Sequence, residues 1–329
     1  MKATGQIEAT RSEANSANGW EKIADPVDPD LIRREIADMT ATDEKARDRR
    51  FSVFLATADR IPAILNELGR LREIAFRAVG EGTGRARDLD DFDRYYRHLF
   101  LWDRENESLA GAYRLALTDE VLSKHGADGL YCSTLFHFEP EFLDYLNPGV
   151  ELGRSFIAPA YQRLPQPLPL MWKGLGAYLV SLKRYRHLFG PVSISQDYST
   201  IAKYLMVEFM TRELTHPTLA RFVQPRNPFR MTDSLDGLGP DQISESLLTA
   251  QEVSAKVSEI EPDGKGIPIL LKHYLKLDAT ILSFNVDPAF NDALDALILI
   301  DLAKAPPVML SRYLGREGVD ELRRRFGTA

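Results

Sequence analysis

The feature that most constrains this chain is a strand containing two charges, followed by a helix that carries two glycines. In the strand, residues 151–157, Glu151 and Arg154 interrupt an apolar run. The helix is predicted from about residue 171 to residue 186 and contains Gly174 and Gly176. A loop between a strand and a glycine-rich helix start presents backbone N–H groups to an anionic ligand. This order therefore predicts a binding site for the phosphate-bearing arm of a cofactor.

Composition narrows the class of protein. Of the 329 residues, 44% are apolar and 27% charged, which is typical of a globular domain, and the net charge of −7 argues against a nucleic-acid partner. The single cysteine, Cys132, leaves no disulfide framework or thiolate metal cluster. Residues 1–26 have no signal-peptide core, and no apolar run approaches the roughly 20 residues of a membrane span. We expect a cytoplasmic protein without a bound metal, which meets lipid only at the inner face of the cytoplasmic membrane.

Strand and helix patterns alternate along most of the chain, so we expect a mixed sheet with helices on both faces. The predicted strands are 51–56, 98–103, 109–115, 150–158, 191–195, 279–286 and 294–301. The predicted parts are a tail with a short helix (1–48), the main domain (49–310), a Pro-rich insertion within it (about 215–265) and a final helix (308–329).

Two polar segments that precede the strand predicted at 98–103 need separate interpretation. The glycines of 80–85 follow a helix instead of a strand and flank Glu81, so we interpret this segment as a flexible loop and not as a phosphate loop. The aspartates between 88 and 93 are too densely spaced for a calcium loop. Carboxylates at a helix N-terminus explain the second segment better.

Several segments, taken in order, are similar to one family. These segments are 67–72 with Phe76, 90–93, 98–99, 111–115 and 151–154. They resemble the GNAT-fold N-acyltransferases that make lyso-aminolipids, sometimes labelled hemolysin-like, which attach a 3-hydroxyacyl chain from acyl carrier protein to ornithine, glycine or lysine. The combination of Arg114, Glu151 and Arg154 also resembles acyl-homoserine-lactone synthases. The resemblance covers about residues 50–310 and implies an α/β, GNAT-like fold with a mostly antiparallel central sheet flanked by helices.

The same resemblance bears on the acyl donor. GNAT enzymes that use coenzyme A typically carry Gln or Arg three residues before the first helix glycine, where this chain has Met171. The loop before Met171 is lengthened by prolines. Coenzyme A presents a pyrophosphate and a further phosphate, whereas the phosphopantetheine of a carrier protein presents one phosphodiester. A reduced phosphate site therefore favours acyl carrier protein as donor, with acyl-CoA as the alternative.

Four side chains are candidates for the chemistry of amine attack on a thioester. Glu151 would orient or deprotonate the amine, and Arg114 and Arg154 would hold the carboxylate of an amino-acid acceptor. His98 is a secondary candidate, as a base or as a hydrogen-bond anchor. The alternatives are an ion pair between Glu151 and either arginine, arginines that hold the acidic residues 90–93, and a structural histidine.

Two further groups complete the expected site. Backbone N–H groups at Ser155, Phe156 and Ile157 would grip pantetheine and stabilise the oxyanion, with Lys173, Gly174 and Gly176 on the helix behind them. Lys183, Arg184 and Arg186 form the densest basic run and would dock an acidic carrier protein. Stabilisation of a helix C-terminus is the alternative for these cations.

The expected function is N-acylation of a small amino acid such as ornithine or glycine, with a lysolipid O-acyltransferase acting downstream. No permanently bound cofactor is expected beyond the acyl-phosphopantetheine donor. Two rivals stay open at this point. One is a signal synthase of the homoserine-lactone type, and the other is a non-catalytic GNAT-fold module that binds acylated carrier protein or lipid.

Overall fold

A computed structural model describes residues 19–230 and 249–327 of the chain. The strands are β1 (Glu44–Arg47), β2 (Phe51–Thr57), β3 (Arg97–Asp103), β4 (Ser108–Leu117), β5 (Phe136–Phe138), β6 (Gly149–Ile157), β7 (His187–Ile194), β8 (Val223–Pro225), β9 (Thr280–Asp287) and β10 (Ala293–Asp301). The helices are α1 (Pro29–Ala37), α2 (Pro62–Arg77), α3 (Thr118–His125), α4 (Pro140–Leu146), α5 (Pro167–Leu182), α6 (Thr200–Leu214), α7 (Ala250–Ile260), α8 (Ile269–Leu275) and α9 (Pro307–Phe326).

The main sheet has eight strands in the order β1-β2-β3-β4-β6-β7-β10-β9. Each neighbouring pair is antiparallel except β6 and β7, which are parallel. A separate two-stranded sheet joins β5 to β8. The mixed, mostly antiparallel sheet that was predicted is confirmed, and each predicted strand appears in it with shifts of a few residues.

Both faces of the sheet are buried, as predicted. On β10, Ala296 and Ile298 belong to one apolar cluster, whereas Leu297 and Leu299 belong to a second. Because successive strand residues point to opposite faces, these clusters lie on opposite sides of the sheet. Helices α2, α5 and α9 contribute to the first cluster, and α4 with the β5–β8 sheet contributes to the second.

The parallel pair β6 and β7 separates along its length. Pairing runs only from Gly149 opposite His187 to Glu151 opposite Phe189, although both strands continue. A β-bulge bends β6 just beyond this point, because its register with β4 shifts and Arg154 adopts a φ of 48°. The separation leaves a wedge-shaped opening in the middle of the sheet.

Gly190 on β7 marks the narrow end of this wedge. A Cβ atom at Gly190 would lie 2.0 Å from the carbonyl oxygen of Leu152 on β6. No other residue type allows this approach, so the glycine sets how closely the two strands meet before they diverge.

Helix α5 begins earlier than the sequence predicted, at Pro167 instead of about residue 171. Pro167 and Pro169, interpreted as a linker, lie in its first turn, where a missing N–H costs little. The expected glycine-rich helix start is therefore wrong. Gly174 lies two turns inside α5, where a Cβ would come 2.5 Å from Val53, and a Cβ on Gly176 would come 2.7 Å from the carbonyl oxygen of Tyr313. Both glycines serve close packing of α5.

Other differences concern the ends and loops. The sheet begins before residue 49, because β1 pairs with β2. The short strands β5 and β8 were not predicted, and β8 and α7 occupy the Pro-rich insertion. Part of the predicted N-terminal tail (1–18) and part of the Pro-rich insertion (231–248) lie outside the described residues. None of the helices within the described ranges is long and apolar enough to cross a membrane.

Candidate active site

A cavity of about 1010 Å³ fills the wedge between β6 and β7. Its walls come from the separated parts of β6 and β7, the first turn of α5, the start of α8 and the end of α2. The lining includes Arg154, Ser155, Phe156 and Ile157 of β6 together with Pro191, Val192 and Ser193 of β7. A cavity of this volume is typical of a small-molecule binding site.

Beyond Glu151, the backbone of β6 has no strand partner on the side that faces the wedge. The N–H of Ala158 donates to the carbonyl oxygen of Ala110 on β4, at 2.9 Å. Because neighbouring peptide groups of a strand point in opposite directions, Ser155 and Ile157 direct theirs toward the side that β7 has left. The carbonyl oxygen of Ile157 accepts a hydrogen bond from Gln162 Nε2 there, at 3.0 Å. Ser155 and Ile157 are two of the three residues predicted to grip pantetheine, and that role stays a prediction. The third, Phe156, pairs with Ala112, so its peptide group faces β4 instead of the wedge.

The first turn of α5 offers few N–H donors to an anion. Pro167 and Pro169 have none, and the N–H of Leu170 already donates to the carbonyl oxygen of Gln166 at 3.0 Å. Leu168 is then the one residue of the first three helical positions with a free N–H. Met171, which carried the sequence argument about the donor, is fully buried inside the helix.

Glu151 is buried and does not line the cavity. Its carboxylate accepts hydrogen bonds from the Tyr96 hydroxyl, the N–H of Cys132 at 2.6 Å and the N–H of Tyr131 at 3.2 Å. Neither Arg114 nor Arg154 forms an ion pair with it among the described residues. Glu151 thus orders the turn that carries Tyr131, and the catalytic role predicted for it stays a prediction.

The two arginines hold the acidic segment, which was one of the alternatives raised by the sequence. Arg114 Nη1 lies 2.5 Å from an Asp90 oxygen and 3.2 Å from an Asp93 oxygen. Arg154 Nε lies 2.9 Å from Asp88, and its Nη2 lies 3.2 Å from Asp90. Of the two arginines, only Arg154 lines the cavity. The carboxylates of Asp90 and Asp93 also cap a short 3₁₀ turn.

His98 is buried on β3, an interior strand, and does not line the cavity. Its Nε2 lies 2.9 Å from the carbonyl oxygen of Asp93. Burial lowers the pKa of His98 to about 4, so the ring is neutral at pH 7. This placement is that of a structural hydrogen-bond anchor.

The predicted docking cations lie at the opposite end of α5 from the cavity. Sixteen residues of helix separate the two ends, or about 24 Å at 1.5 Å per residue. Arg184 forms an ion pair with Asp119, and Arg186 lies 2.6 Å from Asp301. Lys183 ends the helix in a left-handed conformation, and Lys173 lies exposed on α5 without lining the cavity.

Sequence reasoning missed a group of buried carboxyl groups that line the cavity. They are Glu81, Asp287 and Asp295. Burial raises the pKa of Glu81 to about 7, and it raises the pKa values of Asp287 and Asp295. Asp295 shows the same signal that drew attention to Glu151, a carboxylate within an apolar strand. Glu81 was overlooked because the segment that carries it was expected to be a flexible loop.

That loop is ordered, contrary to the expectation. The carboxylate of Glu73 accepts hydrogen bonds from the N–H of Thr83 at 3.1 Å and from the N–H of Gly84 at 2.9 Å. Ser193 on β7 donates its hydroxyl to Glu81 at 2.7 Å. The loop therefore presents Glu81 at a defined position in the wedge.

The divided sheet, with a cavity between parallel neighbours, defines the chain as a GNAT-fold acyltransferase. Residues 71–173 match the family described as "Acetyltransferase (GNAT) domain". A glycine N(alpha)-acyltransferase of Bacteroides thetaiotaomicron is 30% identical over 296 residues, covering 85% of this chain and 86% of the relative. A second, from Phocaeicola vulgatus, is 29% identical over 85% of this chain and 88% of its own length. The chain belongs to the GNAT N-acyltransferase family that includes these proteins. No solved structure matches it significantly.

Proposed function

We propose that this protein transfers an acyl chain from the phosphopantetheine thioester of acyl carrier protein to the α-amine of glycine or another small amino acid. The product is a lyso-aminolipid, which a separate O-acyltransferase completes. The observation that carries the proposal is the cavity between β6 and β7, with strand N–H groups on one wall and buried carboxyl groups on another. The names of the two relatives favour glycine as acceptor.

The donor end of the cavity fits a thioester on an extended pantetheine arm. The arm would lie along β6 and pair with the peptide groups of Ser155 and Ile157, much as an added strand pairs with a sheet edge. An N–H of this strand would also stabilise the oxyanion that forms at the thioester carbonyl. The remaining apolar walls, such as Phe156, Leu164 and Leu168, suit a hydrocarbon chain.

The choice of carrier protein over coenzyme A is supported by the start of α5. The N-terminus of a helix binds phosphate through its free N–H groups, and two prolines remove such groups here. This helix start would therefore bind a pyrophosphate weakly, whereas a single phosphodiester needs fewer N–H donors. The docking face for the carrier protein then belongs near the cavity mouth, where Lys265 and Lys272 lie, in preference to Lys183 and Arg184.

The acceptor end has charge of both signs. Arg154 would bind the carboxylate of the amino acid, and Tyr131, whose ring centroid lies 4.6 Å from the Arg154 guanidinium carbon, would fix its position. Glu151 would act on this arrangement from a distance, by ordering the turn of Tyr131. Arg114 and Asp90 would hold Arg154 in its strained conformation.

The direct test is an acyl-transfer assay with purified protein, acyl carrier protein charged with a 3-hydroxyacyl chain, and a panel of amino acids. We expect release of the carrier thiol with glycine or ornithine present, and slower release when acyl-CoA replaces the carrier. Mass spectrometry of the product separates a lyso-aminolipid from a diffusible lactone. If no acceptor releases thiol from either donor, the protein is a binding module and the proposal is wrong.

A further inference from the structure

Asp295 is a carboxyl group with no evident partner in the middle of the sheet. It follows Leu294 on β10, is only 7% exposed, and lines the cavity. Its register partner on β7 is Ser193, so the two side chains share the cavity face of the sheet. Within 19–230 and 249–327, no hydrogen bond or ion pair reaches the Asp295 carboxyl group. The carboxyl group opens onto the cavity, where a ligand can reach it.

The surroundings of Asp295 are mainly acidic. Asp287 faces it from the end of β9, and Glu81 faces it from the loop after α2. Arg154 on β6 is the cation that partly offsets these charges, and the Tyr131 hydroxyl and the Cys132 thiol are further titratable groups within electrostatic reach of Asp295. Burial, with Asp287 and Glu81 adding to it, raises the pKa of Asp295 well above its usual range. A group of carboxyl side chains of this kind attracts a cation.

A cationic group of the acceptor would complement these carboxyl groups. The cavity opens between β6 and β7, where the acyl thioester is proposed to lie. An ammonium group that reaches Asp295 through this cavity would also be next to the thioester carbon.

We propose that Asp295, together with Glu81 and Asp287, forms the subsite that binds the α-ammonium group of the amino-acid acceptor and takes its proton. This inference rests on the proposed N-acyltransferase function. With Arg154 lining the same cavity, the site has a cationic and an anionic pole and so fits a zwitterion. An acceptor without a carboxylate, or a neutral one such as an alcohol, would match only half of it.

The chemistry balances with these groups alone. The ammonium gives one proton to an ionised carboxylate of the subsite, which leaves a neutral amine. The amine nitrogen attacks the thioester carbon, a C–N bond forms and the C–S bond breaks. The second proton of the nitrogen goes to the departing sulfur, so pantetheine leaves as a thiol. The carboxyl group then releases its proton to water.

The test compares Asp295→Asn and Glu81→Gln with the wild type at pH 7 and at about pH 9.5, where more glycine is already a neutral amine. At pH 7 we expect Asp295→Asn to lower kcat/KM for glycine by about 100-fold, within the usual range for a positioned base. The KM for the acyl donor should not change. At the higher pH the deficit should shrink at least about tenfold, because solution now supplies the neutral amine.

Asp43→Asn is the matched control, since Asp43 is also buried and binds Arg60 away from the cavity. It should retain wild-type kinetics. If Asp295→Asn does not fold, Glu81→Gln must show the same recovery with pH. An equal loss at both pH values, no loss, or a raised KM for the donor would overturn the subsite. If the wild type itself releases no thiol with any amino acid, the proposed function fails instead.

Discussion

Glu151→Gln is expected to destabilise the protein strongly. The Glu151 carboxylate is 1% exposed and accepts from one hydroxyl and two backbone N–H groups. A glutamine keeps one acceptor oxygen and turns an NH₂ group toward the remaining donors. One or two hydrogen bonds to a charged acceptor are lost, and a buried N–H is left unpaired, which together amount to about 3–5 kcal/mol. At roughly 2 °C per kcal/mol for a chain of this size, Tm should fall by about 6–10 °C.

Differential scanning calorimetry and urea unfolding measure this loss. Glu120→Gln is the control, because Glu120 is only half-buried, pairs with Arg97 near the surface and should change stability by less than about 1 kcal/mol. Turnover at a temperature where the variant is folded separates two roles. A proton acceptor would lose about 10²–10⁴ in kcat, whereas a residue that orders Tyr131 should lose less than about tenfold. An unchanged Tm would refute the hydrogen-bond account.

Three further changes test the cavity walls. The pKa of Glu81 rises from 4.5 in the unfolded chain to about 7 in the folded protein, so the free energy of unfolding falls as pH rises between these values. Glu81→Gln lacks this loss. In urea unfolding, its free energy of unfolding relative to the wild type should therefore rise by about 3 kcal/mol from pH 4 to pH 8. Replacing Pro167 and Pro169 by alanine restores two N–H donors and should improve kcat/KM with acyl-CoA about tenfold. Gly190→Ala forces a Cβ against Leu152 and should cost about 3 kcal/mol in thermal unfolding.

Matched variants serve as controls for these three predictions. Gly153→Ala should be nearly neutral, because a Cβ there meets nothing within 4 Å. Pro165→Ala adds an N–H outside α5 and should leave the preference between donors unchanged. A stability difference for Glu81→Gln that stays constant with pH would mean that Glu81 titrates normally. An unchanged donor preference in the double proline variant would remove the argument from helix N–H groups.

The fold was largely readable from the sequence, because its signals are local. Alternation and apolar spacing located the long strands and α2, and the hairpin of β3 and β4 follows from the turn between them. The short strands β1, β5 and β8 were not predicted, because three or four residues are too few to show the alternation of a strand. The start of α5 was misplaced because its prolines resemble a linker until the helix turn that accommodates them is known.

The candidate site, like the fold, was predicted only in part from the sequence. The sequence by itself determined that β6 carries two charges in an apolar run and that prolines precede the glycine-bearing helix. Only the tertiary structure decided that Glu151 turns away to bind backbone N–H groups, while Asp295, on a strand 144 positions later, meets Glu81 in the wedge. Strand order, register and the bulge at Arg154 decide which side chains share a cavity, and these depend on contacts between distant segments that spacing along the chain does not encode.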